Sequence, residues 1–460
     1  MRIFLRACFL FALLLTGESS CPAAEAALRT EALLLILGDQ HSAYDQVAPL
    51  VAEVDRLKAA NPGVPFAVLI DGDSFEYGNV VARRSEAVID LALFAALAKR
   101  APTILNLGNH EPDFYDPAAA VAKLRAVGVV VISGNARDRN TGQPLAPAST
   151  LLRLGAHTAT VVGVMTDQLS TFRLAVRPGL DLANPVVWAK ENFPALLKDT
   201  GLPIVLSHAG IRADREMLPL VPAGTLFAGA HDHVRFTHRF ETGVRYFHSG
   251  SWMEFYSLAK LRRDPGGSFY WEVEQVPLDA QAPGDPALTA LVGRVRAEHL
   301  TPKDTAVVGR LPRALPVAEA ARFAAAAVAR AAGADTAFIG NTTFGGGLPA
   351  GNVTQIEFDA CVRFDGPIFT ATVRGARLRE LVAAANLGPE APFERRRGEF
   401  SFAAGQLENF ADEKTYRIAT TDWGAKNTAR YFGEPALAWQ EHPTVKLKAA
   451  VRAAWSEARP

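Results

Sequence analysis

The sequence predicts an α/β protein of two domains, on three observations. The chain has 460 residues, more than one ordinary hydrophobic core accommodates. Its first half alternates short apolar runs with stretches of helical spacing. Its composition, 49% hydrophobic and 21% charged, is that of a folding chain and not of a disordered one.

Taken in order, the first residues read as an address. Arg2 and Arg6 precede an apolar stretch from Ala7 to Leu15, and Ala24-Glu25-Ala26 fits a small-residue cleavage site, so residues 1–26 are expected to be a cleaved signal peptide. A lipoprotein signal using Cys21 is the rival, disfavoured by Glu18. The apolar stretch is too short to span a bilayer, and no later run is long enough. The mature chain is therefore expected in the periplasm or secreted. Cys361 then stands alone and forms no internal disulfide.

Ala32 to Leu37 reads as a buried strand ending in Gly38-Asp39. Val47 to Lys58 has helical spacing, with Val47, Leu50, Val51, Val54 and Leu57 on one face. Phe66 to Ile70 is a strand ending in Asp71-Gly72-Asp73, Ser85 to Lys99 a helix, and Thr103 to Leu107 a strand ending in Gly108-Asn109-His110-Glu111. Val129 to Ile132 and Thr158 to Val164 continue the pattern. Pro203 to Leu206 runs into Ser207-His208, and Leu226-Phe227 into Gly229-Ala230-His231-Asp232-His233. Five strand-like runs thus end in a metal-capable residue, and in α/β sheets sites form at the carboxyl ends of strands.

A Pro- and Gly-rich segment from Asp279 to Pro286 marks a boundary. The expected organisation is a first domain over 27–282, a linker helix within 283–302 and a second domain over 303–460. In the latter, Ala318 to Ala332 reads as helix, and Ala337 to Gly340, Gln355 to Phe358, Phe369 to Val373 and Tyr416 to Thr420 as strands.

Lysine plus arginine equals aspartate plus glutamate, 48 each. This balance gives no footprint for a nucleic-acid polymer. The run Arg395-Arg396-Arg397 is expected to be a solvated turn.

The candidate ligands are Asp39, His41, Asp73, Asn109, His208, His231 and His233. Two carboxylates, one amide and four imidazoles suit Mn, Zn, Fe or Co better than calcium or magnesium. Seven donors exceed what one open tetrahedral ion needs but suit two divalent ions sharing a carboxylate. His157, His238, His248, His299 and His442 lack the placement after a strand and are read as structural or surface residues. Glu111 and Asp71 are read as loop supports.

The order Asp-x-His, Gly-Asp, Gly-Asn-His-Glu, Ser-His and Gly-x-His-x-His resembles the calcineurin-like metallophosphoesterases. Gly108 to Asp113 is similar to a motif of the 5′-nucleotidase family within them. The resemblance covers Leu33 to Trp252. It implies a four-layer α/β/β/α first domain, one metal on Asp39, His41, Asp73 and His233, and another on Asp73, Asn109, His208 and His231, with Asp73 bridging. It also implies that His110 acts at the leaving-group oxygen and that Asp113 orients it.

The second domain resembles the smaller α/β substrate domain of the 5′-nucleotidases more loosely, through Gly333 to Asn341, Gly351 to Thr354 and Arg363-Phe364-Asp365-Gly366. Asn341, Phe364 and Arg313 are its candidate substrate contacts, Phe364 as half of an aromatic clamp, with Tyr431 or Phe432 as the other half. Two departures stand out. Thr342 to Leu348 lacks the arginine with which the family grips phosphate, so weak phosphate binding is expected, and the family's second aromatic motif is missing.

The expected activity is metal-dependent hydrolysis of phosphomonoesters, nucleoside 5′-monophosphates foremost. Phosphodiester or thiosulfate-ester hydrolysis is the alternative. A non-catalytic protein that captures a small phosphorylated ligand is the alternative of another class.

Overall fold

The computed structural model describes residues 29–198, 200–387 and 391–457; the expected signal peptide lies outside them. Two six-stranded sheets form the first domain. Across the first, the order is Phe269–Pro277, Phe255–Arg263, Thr30–Gly38, Phe66–Asp71, Thr103–Asn106 and Val130–Ile132. Across the second it is Arg235–Arg239, Arg245–Ser249, Leu226–Gly229, Leu202–His208, His157–Met165 and Ser149–Leu154.

The unbroken apolar runs of the central strands are explained by what covers them. Ala32, Leu34 and Ile36 face the second sheet, meeting Ile204, Leu206 and Ala228 in one buried layer. Leu33, Leu35 and Leu37 face the helices Tyr44–Ala60, Val88–Arg100 and Pro286–His299 on the other side. The outer face of the second sheet, with Val162, Val205 and Phe227, is covered by Pro185–Leu196 and Ile211–Met217. Strands buried on both faces need apolar residues at every position, not at alternate ones. The architecture is thus α/β/β/α.

Two expectations about elements change here. The helix expected from Ser85 to Lys99 is two, Val80–Ser85 and Val88–Arg100, because Glu86 and Ala87 take left-handed backbone with φ of 53° and 56°. Gln355 to Phe358 is not a strand but the start of the helix Gln355–Cys361. Thr354 and Glu357 cap it reciprocally, satisfying backbone donors that a strand would have paired differently.

The second domain has a five-stranded sheet in the order Ser401–Gly405, Thr336–Gly340, Thr415–Thr421, Pro367–Arg374 and Gln440–Lys446. The alanine-rich helix Val317–Ala331 packs on it through Ala321, Ala324, Ala325 and Val328; small side chains let the backbones approach. The helix Pro286–His299 leads into it, with Asp285 capping its first turn and pairing with Arg100 at 2.8 Å.

Of the arginine run at 395–397, expected to be a solvated turn, Arg395 and Arg397 are exposed but Arg396 is not. Arg396 is buried over the Phe236 ring at 4.5 Å, and Arg215 donates to the carbonyls of both Phe393 and Arg396. Asn341 adds a second tie, donating to the Asp232 carbonyl at 2.8 Å. The two domains are therefore joined beside the loop that carries His231 and His233.

Candidate metal centre

The seven candidate ligands come from the carboxyl ends of strands in both sheets. Asp39, His41, Asp73, His231 and His233 all lie in left-handed backbone, with φ from 49° to 80°. Non-glycine residues seldom adopt this conformation, and it collects where side chains must be aimed against local preference. Glycines provide the close approach. A Cβ on Gly72 would lie 2.6 Å from His208 Nδ1, and one on Gly108 would lie 2.6 Å from the Asp73 backbone nitrogen.

The side chains form two adjoining groups, Asp39–His41–His233 and Asp73–His208–His231, each with its donor atoms within 4.8 Å of one another. His41 Nε2 and His233 Nε2 are 2.9 Å apart, and Asp39 Oδ1 is 3.9 Å and 3.7 Å from them. His208 Nε2 lies 3.1 Å from Asp73 Oδ2 and 3.8 Å from Asp39 Oδ1, which links the groups. Asn109 Oδ1 and His231 Nε2 are buried without a hydrogen-bond partner.

This donor set fits divalent metal. Burial, then the carboxylates of Asp73 and Asp71, pushes Asp39 well above the ordinary carboxylate range, a cost that a cation removes. Burial lowers His41 to about 4 and His231 to about 3, with Arg363 adding to the first and His208 to the second. Both are neutral imidazoles at physiological pH, the ligating state. His208 Nδ1 bonds the Asp71 carbonyl at 2.7 Å, leaving Nε2 for the site.

Around this centre the supports are polar and buried. Glu111 accepts from the backbone nitrogens of Asp73, Ser74 and Gly108 at 3.1, 2.9 and 2.6 Å, and so fixes two ligand loops at once. Asp71 accepts from Asn106 at 2.8 Å. His248 is enclosed by Tyr246 and Asp214, at 2.8 and 3.3 Å, with no place in the centre.

His110 stands at the edge, its side chain 15% exposed. Its Nδ1 is 2.8 Å from Asp113 Oδ2, and Asp113 is held in turn by the Tyr77 backbone nitrogen at 2.7 Å. Burial alone would lower His110, but Asp113 and then Asp73 raise it to about 10.

A cavity of about 290 Å³ opens from the centre. Asp73, Asn109, His110, His231 and His233 form its floor, and Phe364 and Trp423 line its walls. Phe364 is 50% exposed. Of the other residues considered for substrate contact, Asn341 has both ends of its amide engaged, by the Asp232 carbonyl and by the Phe400 nitrogen at 3.0 Å. Arg313 lies outside the cavity, on the surface and paired with Glu319. Tyr431 braces Trp423 through its hydroxyl at 3.2 Å, and Phe432 is buried against Phe338 and Trp439, so Trp423 is the second aromatic of the cavity.

Sequence reasoning missed Glu76 and Arg363. Glu76 is buried 3.4 Å from His41 Nδ1 and groups with His110 and Asp113. Arg363 reaches Glu76 from the second domain. The sequence placed Arg363 next to Phe364, but nothing in it joined residues 287 positions apart.

Residues 32–235 match the model of the calcineurin-like phosphoesterase family. This part of the chain is a calcineurin-like phosphoesterase domain, the domain of a hydrolase acting on phosphoester bonds, and it carries the clustered metal-ligand groups. Over nearly its whole length the chain is similar to solved two-domain structures. A 5′-nucleotidase precursor from Thermus thermophilus superposes with a TM-score of 0.62 at 16% identity, covering 93% of this chain and 96% of the other. The sulfate thiohydrolase SoxB of the same organism gives 0.63 at 15% identity, covering 93% and 95%. A 5′-nucleotidase from Candida albicans gives 0.60 at 12% identity, covering 94% and 98%. At these identities the likeness is one of fold. No curated protein sequence matches the chain. Among the described residues no helix is long and apolar enough to cross a membrane.

Proposed function

We propose that this chain is an exported phosphomonoesterase using two divalent ions, and that its preferred substrates carry a flat, stackable leaving group such as a nucleoside. The observation that carries the reading is the single cavity that joins the ligand cluster and His110 to Phe364 and Trp423. Asp39, His41, Asp73 and His233 would hold one ion, and Asp73, Asn109, His208 and His231 the other, drawn from Mn, Zn, Fe and Co. When bound, the ions supply an activated water and neutralise charge on the phosphoryl oxygens.

The remaining work belongs to the side chains. Asp113 fixes the imidazole of His110 through Nδ1, leaving Nε2 to hold a proton at the leaving oxygen. Phe364 offers an exposed ring face on which a base can stack, worth about 1–3 kcal/mol.

The test is a screen of metal-loaded protein on phosphomonoesters, phosphodiesters, thiosulfate esters and nucleotides, repeated with Phe364→Ala. The reading predicts monoester turnover and a KM for nucleoside monophosphates raised about 5–150-fold in the variant. Hydrolysis of small phosphoesters should be spared. A preference for diesters, or a variant equal to wild type on every nucleotide, contradicts the substrate assignment.

A further inference from the structure

The loop Thr342 to Leu348 contains no arginine, yet the cavity has a guanidinium. Arg363 is the one lysine or arginine among the described residues that line it. The chain brings it there by pairing the segment around Phe344 with Val362 and by a hydrogen bond from the Arg363 nitrogen to the Thr343 carbonyl at 3.0 Å.

Its side chain is 3% exposed and held on several sides. One terminal nitrogen donates to the Thr342 carbonyl at 3.0 Å. The other pairs with Glu76 and lies 3.3 Å from His41 Nδ1. The guanidinium also lies over the rings of Phe364 and Trp252, at 5.0 and 5.4 Å. Its Nε is buried with no partner. A buried donor without an acceptor costs about 1–3 kcal/mol, and here it belongs to the permanent cation of a cavity wall.

We propose that Arg363 is the phosphate-recognition residue of this cavity. The part of its guanidinium that lines the cavity takes an oxygen of the phosphoryl group seated beside Asp73, Asn109 and His110, while Glu76 and the Thr342 carbonyl keep the guanidinium in place. The assignment rests on the phosphoesterase reading above. It supplies from a residue beside the stacking platform the grip that the loop Thr342 to Leu348 lacks. A guanidinium fixed beforehand loses little freedom when the anion arrives.

The experiment is calorimetric titration of inorganic phosphate into metal-loaded wild type, Arg363→Gln, Arg363→Lys and Glu76→Gln, with the metal content and melting temperature of each. Arg363→Gln should weaken phosphate binding about 10–100-fold. Arg363→Lys should not restore it, because an ammonium cannot reach Glu76 and the phosphate together. Glu76→Gln should tighten binding, since the guanidinium charge is then uncompensated. A merely structural ion pair predicts weakening in both Arg363→Gln and Glu76→Gln, and that result overturns the proposal. Unchanged phosphate affinity in Arg363→Gln also overturns it, as does loss of metal from a folded Arg363→Gln, which would make Arg363 a support for His41. Failure of wild type to hydrolyse any phosphoester while binding phosphate through Arg363 would remove the hydrolase reading and leave this assignment standing.

Discussion

Gly108→Ala should disable the metal centre while adding a single methyl group. The new Cβ would lie 2.6 Å from the Asp73 nitrogen and 3.0 Å from His208 Cδ2, and closer still to Asp73 Oδ1. Ordinary contact begins near 3.4 Å, so the first approach alone needs about 0.8 Å of movement. Asp73 cannot give way freely, because its nitrogen bonds Glu111 at 3.1 Å and its Oδ1 accepts from the His110 nitrogen at 2.8 Å. Metal sites tolerate ligand displacements of about 0.2 Å. A stability loss of about 1–3 kcal/mol is expected from overpacking, with turnover reduced about 100-fold or more. Elemental analysis, thermal melting and p-nitrophenyl phosphate hydrolysis measure the three effects. Gly346→Ala is the control, since nothing lies within 4 Å of its added Cβ. A Gly108→Ala protein with full metal content and wild-type turnover would refute the account of how the ligand loops are packed.

Two further outcomes follow from other buried groups. His110→Asn should keep its metal but lose about 10²–10⁴ in kcat, most with alkyl phosphates, whose leaving oxygen needs a proton; an equal loss on p-nitrophenyl phosphate would refute the acid role. Burial raises Asp90 from 3.8 to about 7 against the hydrogen bond from Tyr44. The folded chain therefore keeps a proton that the unfolded chain releases, and stability falls as pH rises from about 4 to about 7. Asp90→Asn should flatten that slope in urea unfolding at pH 5 and pH 8, and an unchanged slope would contradict the burial argument.

The first domain was legible because its ligand-bearing strands are parallel and covered on both faces, so each appears as an unbroken apolar run with a polar residue at its end. The strands Phe255–Arg263 and Phe269–Pro277 gave no such signal. They pair antiparallel at the sheet edge, where charges such as Lys260 and Glu274, 2.9 Å apart, interrupt the run. The helix at Gln355 was readable from Thr354 and Glu357, but its short apolar run imitates a strand. His110 and Asp113 were readable because they lie three residues apart. Glu76 and Arg363 were not, since their pairing exists only when the second domain folds against the first. Trp423 was hidden for a related reason: the aromatic was sought at Tyr431 and Phe432, which the fold uses to brace and to fill.

The central claim is that one carboxylate serves both ligand groups. It is tested by the metal content of purified wild type, Asp73→Ala and His41→Ala, with each protein shown to be folded. The account predicts two divalent ions per chain in wild type, none in Asp73→Ala and about one in His41→Ala. Near-stoichiometric metal in the Asp73→Ala protein would contradict it.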